Sequence, residues 1–95
     1  MLRQKDNHVH WALPKAVTGS IGGSALTAGQ CAYGSATIAG LSTTSWVAAA
    51  PQTYPGDGFR WEAYFNVGDG TTYVKVCAPV AGTPTASVYN IVYVP

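Results

Sequence analysis

The distribution of apolar and polar residues along the chain indicates short, half-buried β-strands. In the segment FRWEAYFNV, residues 59–67, every second residue is apolar, and the intervening positions carry Arg60, Glu62, Tyr64 and Asn66. Alternation of this kind places one face of a strand in a core and the other in water. Clusters of Gly, Pro, Asp and Thr interrupt such segments at intervals of roughly ten residues. The pattern predicts six strands, at residues 21–28, 34–39, 46–50, 59–67, 71–78 and 86–94.

Signals for helices are nearly absent. The apolar run WVAAA at residues 46–50 follows STTS and is stopped by Pro51, so it is too short for a helix. Two GDG tripeptides, at residues 56–58 and 68–70, have the composition of turns, and the second is expected to join two strands as a hairpin. We therefore predict an all-β fold, a small antiparallel β-sandwich or jelly-roll-like domain.

The last predicted strand is apolar on both of its faces. Valines occupy one side of residues 86–94, and the other side carries Tyr89, Ile91 and Tyr93. A strand without a polar face has to be covered on both sides by another element or by another chain. We expect Tyr89, Ile91 and Tyr93 to form an oligomer interface.

The chain divides into three zones by composition. Residues 1–18 form a predicted N-terminal docking arm, residues 19–24 (GSIGGS) a flexible Gly/Ser connector, and residues 25–95 the β domain. In the arm, Trp11, Leu13 and Val17 alternate beside a proline that disfavours a helix interior. These side chains are expected to anchor the arm, in an extended conformation, in a groove of another protein.

The arm also carries both histidines of the chain, His8 and His10. In an extended segment the two imidazoles lie on one side, and three copies around a three-fold axis would supply six nitrogen ligands for an octahedral metal ion. The alternative is that both histidines make polar contacts in a docked arm. The sequence favours the alternative, and no metal is expected.

The low charge of the chain indicates an assembled protein. Charged residues make up 9% of the 95 residues, against about 25% in typical soluble domains. None lies between Lys15 and Asp57, and none follows Lys75. A surface so poor in charge suits burial against other subunits, so we expect a homo-oligomer.

Several classes of partner are disfavoured. The net charge of +1 includes no cluster of Lys and Arg that would bind nucleic acid. No run of about 18 apolar residues predicts a membrane span. The start, MLRQKDNHVHWALPK, lacks the apolar region of a signal peptide, so synthesis in the cytoplasm is expected.

Catalysis is not expected either. The histidines lie in the arm, as does Asp6, while Asp57 and Asp69 occupy predicted turns. No nucleophile with a base, no paired carboxylates and no cofactor motif is recognisable. The glycine-rich connector lacks both GK[ST] and GxGxxG. The prediction is a protein that is not an enzyme and has no cofactor.

The aromatic residues and the cysteines leave alternatives open. Exposed tyrosines and tryptophans can stack on glycans, but aromatics among β-branched residues more often belong to a core or interface. Trp46 and Trp61 are expected in the core. Cys31 and Cys77 would either close a long loop as a disulfide or lie buried as two thiols.

Several features of residues 25–95 occur together in one known family. They are the early AGQC cysteine, an apolar strand before a proline-containing loop, the segment GFRWEAYF, and VKVC followed by a Gly, Pro and Thr loop and a final YNIVYV. In this combination the chain resembles the small β domains that end many tailed-bacteriophage fibre and virion structural proteins.

The resemblance implies a small β-sandwich, commonly a trimer, that decorates a capsid, collar or tail. It also implies that Cys31 and Cys77 lie on neighbouring strands. The family usually carries this domain behind a long fibre or stalk, whereas only about two dozen residues precede it here. A short decoration, cement or head-fibre subunit of the virion, anchored by residues 1–18, is therefore the leading hypothesis. The rivals are a module that binds host-surface glycans and a metal-tipped spike that uses His8 and His10.

Overall fold

The computed structural model describes residues 14–95, and every regular element in this range is a β-strand. No helix within this range is long and apolar enough to cross a membrane. The strands are β1 (Lys15–Val17), β2 (Gln30–Thr37), β3 (Trp46–Pro51), β4 (Arg60–Asn66), β5 (Thr71–Ala78) and β6 (Tyr89–Val94). The all-β prediction is confirmed.

The strands form two antiparallel sheets of three strands each. One sheet has the order β1-β6-β3 and the other the order β2-β5-β4. Only β4 and β5 are both consecutive in the chain and neighbours in a sheet. Their hairpin closes at Gly70, whose N–H donates to the carbonyl of Asn66 at 2.9 Å and whose φ of 70° suits glycine. Each of the other connections passes from one sheet to the other, so the sheets are tied together repeatedly.

The core is built from the inward-facing residues of both sheets. The central strand β5 buries every second side chain, because it has a partner at each edge and a second sheet over one face. Val74 and Val76 of β5 meet Tyr89 and Ile91 of β6 in one apolar cluster. Ile21 and Ile38, from segments outside the strands, complete the cluster.

Tyr89 and Ile91 are therefore not an oligomer interface, and that prediction is wrong for both. Each is 0% exposed within the single chain. Tyr93 is partly buried and packs against the same cluster. The pattern showed two apolar faces on this strand but did not show which one faces inward. The aromatic and isoleucine face turns inward, which buries more apolar area than the valine face would.

The N-terminal boundary of the sheet also differs from the prediction. Residues 21–28 form no strand, and only Ile21 and Leu26 make isolated bridges, to Ser87 and Gly82. Instead Lys15–Val17, from the predicted arm, pairs with β6.

The predicted connector packs into the domain. Ile21 is buried against Gly34 of β2, which leaves so little space that a Cβ at position 34 would lie 2.5 Å from Ile21 Cγ1. The buried Ile21 side chain therefore anchors residues 19–24 in the domain. The segment is not a free flexible linker.

Candidate functional site

The outer face of the β2-β5-β4 sheet carries three tyrosines from three adjacent strands. We call it the tyrosine face and define it by Tyr33, Tyr64 and Tyr73. Pairing sets Tyr73 directly opposite Tyr64, and Tyr33 opposite Lys75, one diagonal step from Tyr73. The rings of Tyr64 and Tyr73 are stacked, with centroids 5.4 Å apart and an interplanar angle of 24°. Three aromatic rings thus form an oblique row across the sheet, in which Ser35 and not Tyr33 lies directly opposite Tyr73.

Hydrogen bonds fix the centre of this row. The Tyr73 hydroxyl donates to Asp69 Oδ2 at 2.7 Å, and the Thr71 N–H donates to Asp69 Oδ1 at 3.0 Å. The hydrogen bond to the Asp69 carboxylate raises the pKa of Tyr73 above 10.0, because it stabilises the protonated phenol. Tyr73 therefore remains neutral near pH 7, with its hydroxyl already directed.

The charges around the row cancel. Lys75 Nζ lies 3.6 Å from Glu62 Oε2, a partly exposed pair that contributes little to stability. Arg60, also outward on β4, and Asp69 add one charge of each sign. The remaining outward side chains are the disulfide and small polar groups: Ser35, Thr37, Asn66 and Thr71. The face is therefore a neutral aromatic surface with hydroxyl and amide groups at its margin.

The outer face of the β1-β6-β3 sheet has the opposite character. We call it the apolar face and define it by its apolar outward side chains: Val17, Trp46, Ala48, Ala50, Val92 and Val94. The polar side chains on the same side are Lys15 of β1 and Asn90 of β6, and Asn90 accepts a hydrogen bond from Gln52. Pairing places Trp46 beside Val94 and Ala48 beside Val92. An open cavity of about 200 Å³ lies next to Trp46, lined by β3 and β6. Lys15 is the only charged residue of β1, β3 and β6, and it lies at the margin of this face.

Trp46 is 76% exposed, so its predicted place in the core is wrong. The alternation of β3 turns Val47 and Ala49 inward and Trp46 outward. Trp61, by contrast, packs against the core, and its Nε1–H donates to the carbonyl of Ala49 at 3.2 Å. This bond covers part of the β3 edge and joins the two sheets.

The predicted docking residues divide between described and undescribed parts of the chain. Val17 lies outward on β1 and is half exposed, so it belongs to the apolar face. Trp11, Leu13, His8 and His10 lie outside the described residues. The chain enters the sheet at Pro14, whose carbonyl accepts the Tyr93 N–H at 3.2 Å.

Cys31 and Cys77 are joined by a disulfide with an S–S distance of 2.03 Å. The two residues lie directly opposite each other on β2 and β5. The bond therefore fastens the edge strand that carries Tyr33 to the central strand that carries Tyr73. The sequence left open a disulfide or two buried thiols, and the structure contains the disulfide.

The acidic residues of the described range serve local structure. Asp69 holds the β4–β5 turn, and Asp57 accepts a hydrogen bond from the Tyr54 hydroxyl at 3.0 Å. That bond raises the pKa of Tyr54. Residues 14–95 contain no group of three or more His, Cys, Asp or Glu side chains that could hold a metal ion.

Comparison with protein-family models, with curated proteins and with solved structures finds no significant match for this chain. The sequence pattern placed Tyr64 on the outer side of its strand, but the row of tyrosines depends on the register of three strands. The cross-strand pairing supplies that register.

Proposed function

We propose that this chain is a structural subunit of a tailed-bacteriophage particle, a short trimeric decoration, cement or fibre subunit. In this proposal the two sheets form a β-sandwich of the jelly-roll type, and copies of the chain associate through the apolar face. The observation that supports it is the exposure of Trp46, which lies at the start of the edge strand β3 beside Val94 on this apolar sheet surface. The low charge of the whole chain points the same way.

The energetics of the apolar face fit repeated contacts better than one isolated pair. Covering roughly 150 Å² of Trp46 would contribute about 4 kcal/mol at the usual coefficient for apolar burial. Association opposes this with about 4–15 kcal/mol of lost translational and rotational freedom. One such contact is therefore marginal, whereas a closed ring or a lattice of copies adds several contacts per subunit.

A second copy of the chain is the proposed occupant of this face. The face offers apolar area and shape, and with Lys15 only at its margin it does not require a partner of opposite charge. Docking onto other virion proteins is assigned to the part of the predicted arm that precedes the sheet, residues 1–13, with Trp11 and Leu13 as anchors. A location in the virion, after synthesis in the host cytoplasm, follows from this role. The metal-tipped spike stays a prediction based on His8 and His10.

The assembly role is tested with a matched pair of variants. Trp46→Ser removes the largest side chain of the apolar face. Val80→Ser removes an equally exposed apolar side chain from the loop after β5. Light scattering coupled to size-exclusion chromatography should give a trimer for the unmodified chain and for Val80→Ser, and a monomer for Trp46→Ser. A soluble monomer for the unmodified chain at all concentrations would contradict association through this face.

The virion role needs its own measurement. Particles banded by density from cultures that produce the chain should contain it, as detected by mass spectrometry. Deletion of residues 1–13 should remove the chain from the particles while leaving the far-ultraviolet circular dichroism of the purified protein unchanged. A chain absent from banded particles would contradict the virion role, whatever its oligomeric state.

A further inference from the structure

The spacing of the tyrosine face suits a linear ligand. Neighbouring strands lie about 4.8 Å apart, and Tyr33 is also offset from Tyr73 by two residues, about 7 Å along the strand, so the tyrosines span roughly 12 Å between β2 and β4. This length is close to that of a disaccharide unit. Tyr33 is 59% exposed and Tyr64 is 41% exposed, so two rings of the row have surface available to a ligand.

Part of the tyrosine face is also pre-organised for binding. Tyr73 is fixed by Asp69 and stacks on Tyr64. Tyr33 is two residues from Cys31, whose disulfide fastens β2 to β5. A tyrosine has only two side-chain torsions to restrict, and these contacts already restrict part of the row. The Tyr64–Tyr73 pair therefore has little conformational entropy left to lose when a ligand stacks on it.

The chemistry of the face selects among ligands that stack on aromatic rings. Nucleic acid bases stack well, but single strands bind in grooves with an excess of Lys and Arg. Here Arg60 and Lys75 are balanced by Glu62 and Asp69. Sugar rings present C–H groups on their faces and hydroxyls around their edges. These features match tyrosine rings bordered by Ser35 and Asn66.

We propose that the tyrosine face binds a neutral polysaccharide, with sugar rings stacked on Tyr33 and on the Tyr64–Tyr73 pair. The ligand's hydroxyls meet the small polar side chains at the margin. This site goes beyond the assembly role and does not rest on it, because it uses the sheet opposite the apolar face. It gives the glycan-binding alternative a defined place in the fold.

The test measures binding of the full chain to a panel of soluble glucans, mannans and galactans by isothermal titration calorimetry. Dextran sulfate and single-stranded oligothymidylate serve as charged comparison ligands. At least one neutral polysaccharide should bind, and Tyr33→Ala and Tyr64→Ala should each weaken binding about tenfold. Tyr54→Ala is the matched control, because Tyr54 is equally exposed but lies in the β3–β4 loop. The Tyr54→Ala variant should bind the polysaccharide with the same affinity as the unmodified chain.

Two further variants separate stacking from folding. Tyr33→Phe and Tyr64→Phe keep the rings and should keep binding within about twofold, and thermal melting checks that each alanine variant is folded. Binding to none of the neutral polysaccharides, or only to the charged ligands, would overturn the proposal. If the phenylalanine variants lost as much affinity as the alanine variants, ring stacking would be excluded as the source of binding. Trp46→Ser should leave saccharide binding unchanged, so failure of this site and failure of assembly are distinguishable.

Discussion

Thr18 and Tyr89 are joined by two hydrogen bonds across 71 positions of sequence. The Thr18 N–H donates to the carbonyl of Tyr89 at 3.0 Å, and the Tyr89 N–H donates to Thr18 Oγ1 at 3.1 Å. The pair continues the β1–β6 ladder by one step beyond Val17, with the threonine side chain replacing a backbone acceptor. The pair therefore ties the segment that follows β1 to β6, the central strand of its sheet.

Replacement of Thr18 by valine should destabilise the fold by about 1–3 kcal/mol, because the buried Tyr89 N–H would lose its acceptor. Valine keeps the branched shape of threonine, so packing changes little. Thr18→Ser keeps the acceptor and should lose less. Urea unfolding followed by tryptophan fluorescence measures all three proteins. Equal stability of the valine variant and the unmodified chain would show that the side-chain bond contributes nothing.

Removal of the Tyr89 hydroxyl should leave the fold as stable as before or stabilise it by up to about 1 kcal/mol, because this buried oxygen has no hydrogen-bond partner among the described residues. Burial also raises the pKa of Tyr89 above 10.0. The folded state thus holds this proton more tightly than the unfolded chain does. The resulting stability is fully present below about pH 10 and is lost as the pH rises through the folded-state pKa.

Urea midpoints measured from pH 8 to pH 11 test this assignment. The unmodified chain should lose stability above about pH 10, and Tyr89→Phe should lose less over the same interval. The comparison isolates Tyr89, since every other tyrosine is shared by the two proteins. Parallel curves for the two proteins would contradict the assignment of alkaline sensitivity to Tyr89.

The sequence was informative where one strand face is clearly polar. Alternation along residues 59–67 predicted β4 within a residue at each end. It failed for β1, because Lys15–Val17 is too short to show a period and derives its structure from pairing with β6. It could not orient β6, both of whose faces are apolar. The tyrosine face was hidden for a similar reason, since its three residues are far apart in the chain and meet only through register.

Loss of the disulfide should reduce stability by about 4 kcal/mol. The bond closes a loop with a sequence separation of 46, and the chain-entropy estimate for such a loop gives about that value. The Cys31→Ser/Cys77→Ser double variant and the unmodified chain with reductant should unfold at the same lowered urea concentration. Adding reductant to the double variant should change nothing. A double variant as stable as the oxidised chain would show that the sheets alone fix β2.

Substitution of Gly34 by alanine should destabilise the domain by about 1–3 kcal/mol, because the added Cβ would lie 2.5 Å from Ile21 Cγ1 in a closely packed core. Gly19→Ala is the control, since nothing lies within 4 Å of a Cβ at that position. Ile21→Ala removes the obstructing atoms but also loses apolar burial. The double variant Ile21→Ala/Gly34→Ala should therefore be more stable than the sum of the two single losses, with a coupling of about 0.5–3 kcal/mol. Strictly additive losses in urea unfolding would contradict direct contact between the two positions, and with it the packing of Ile21 onto β2.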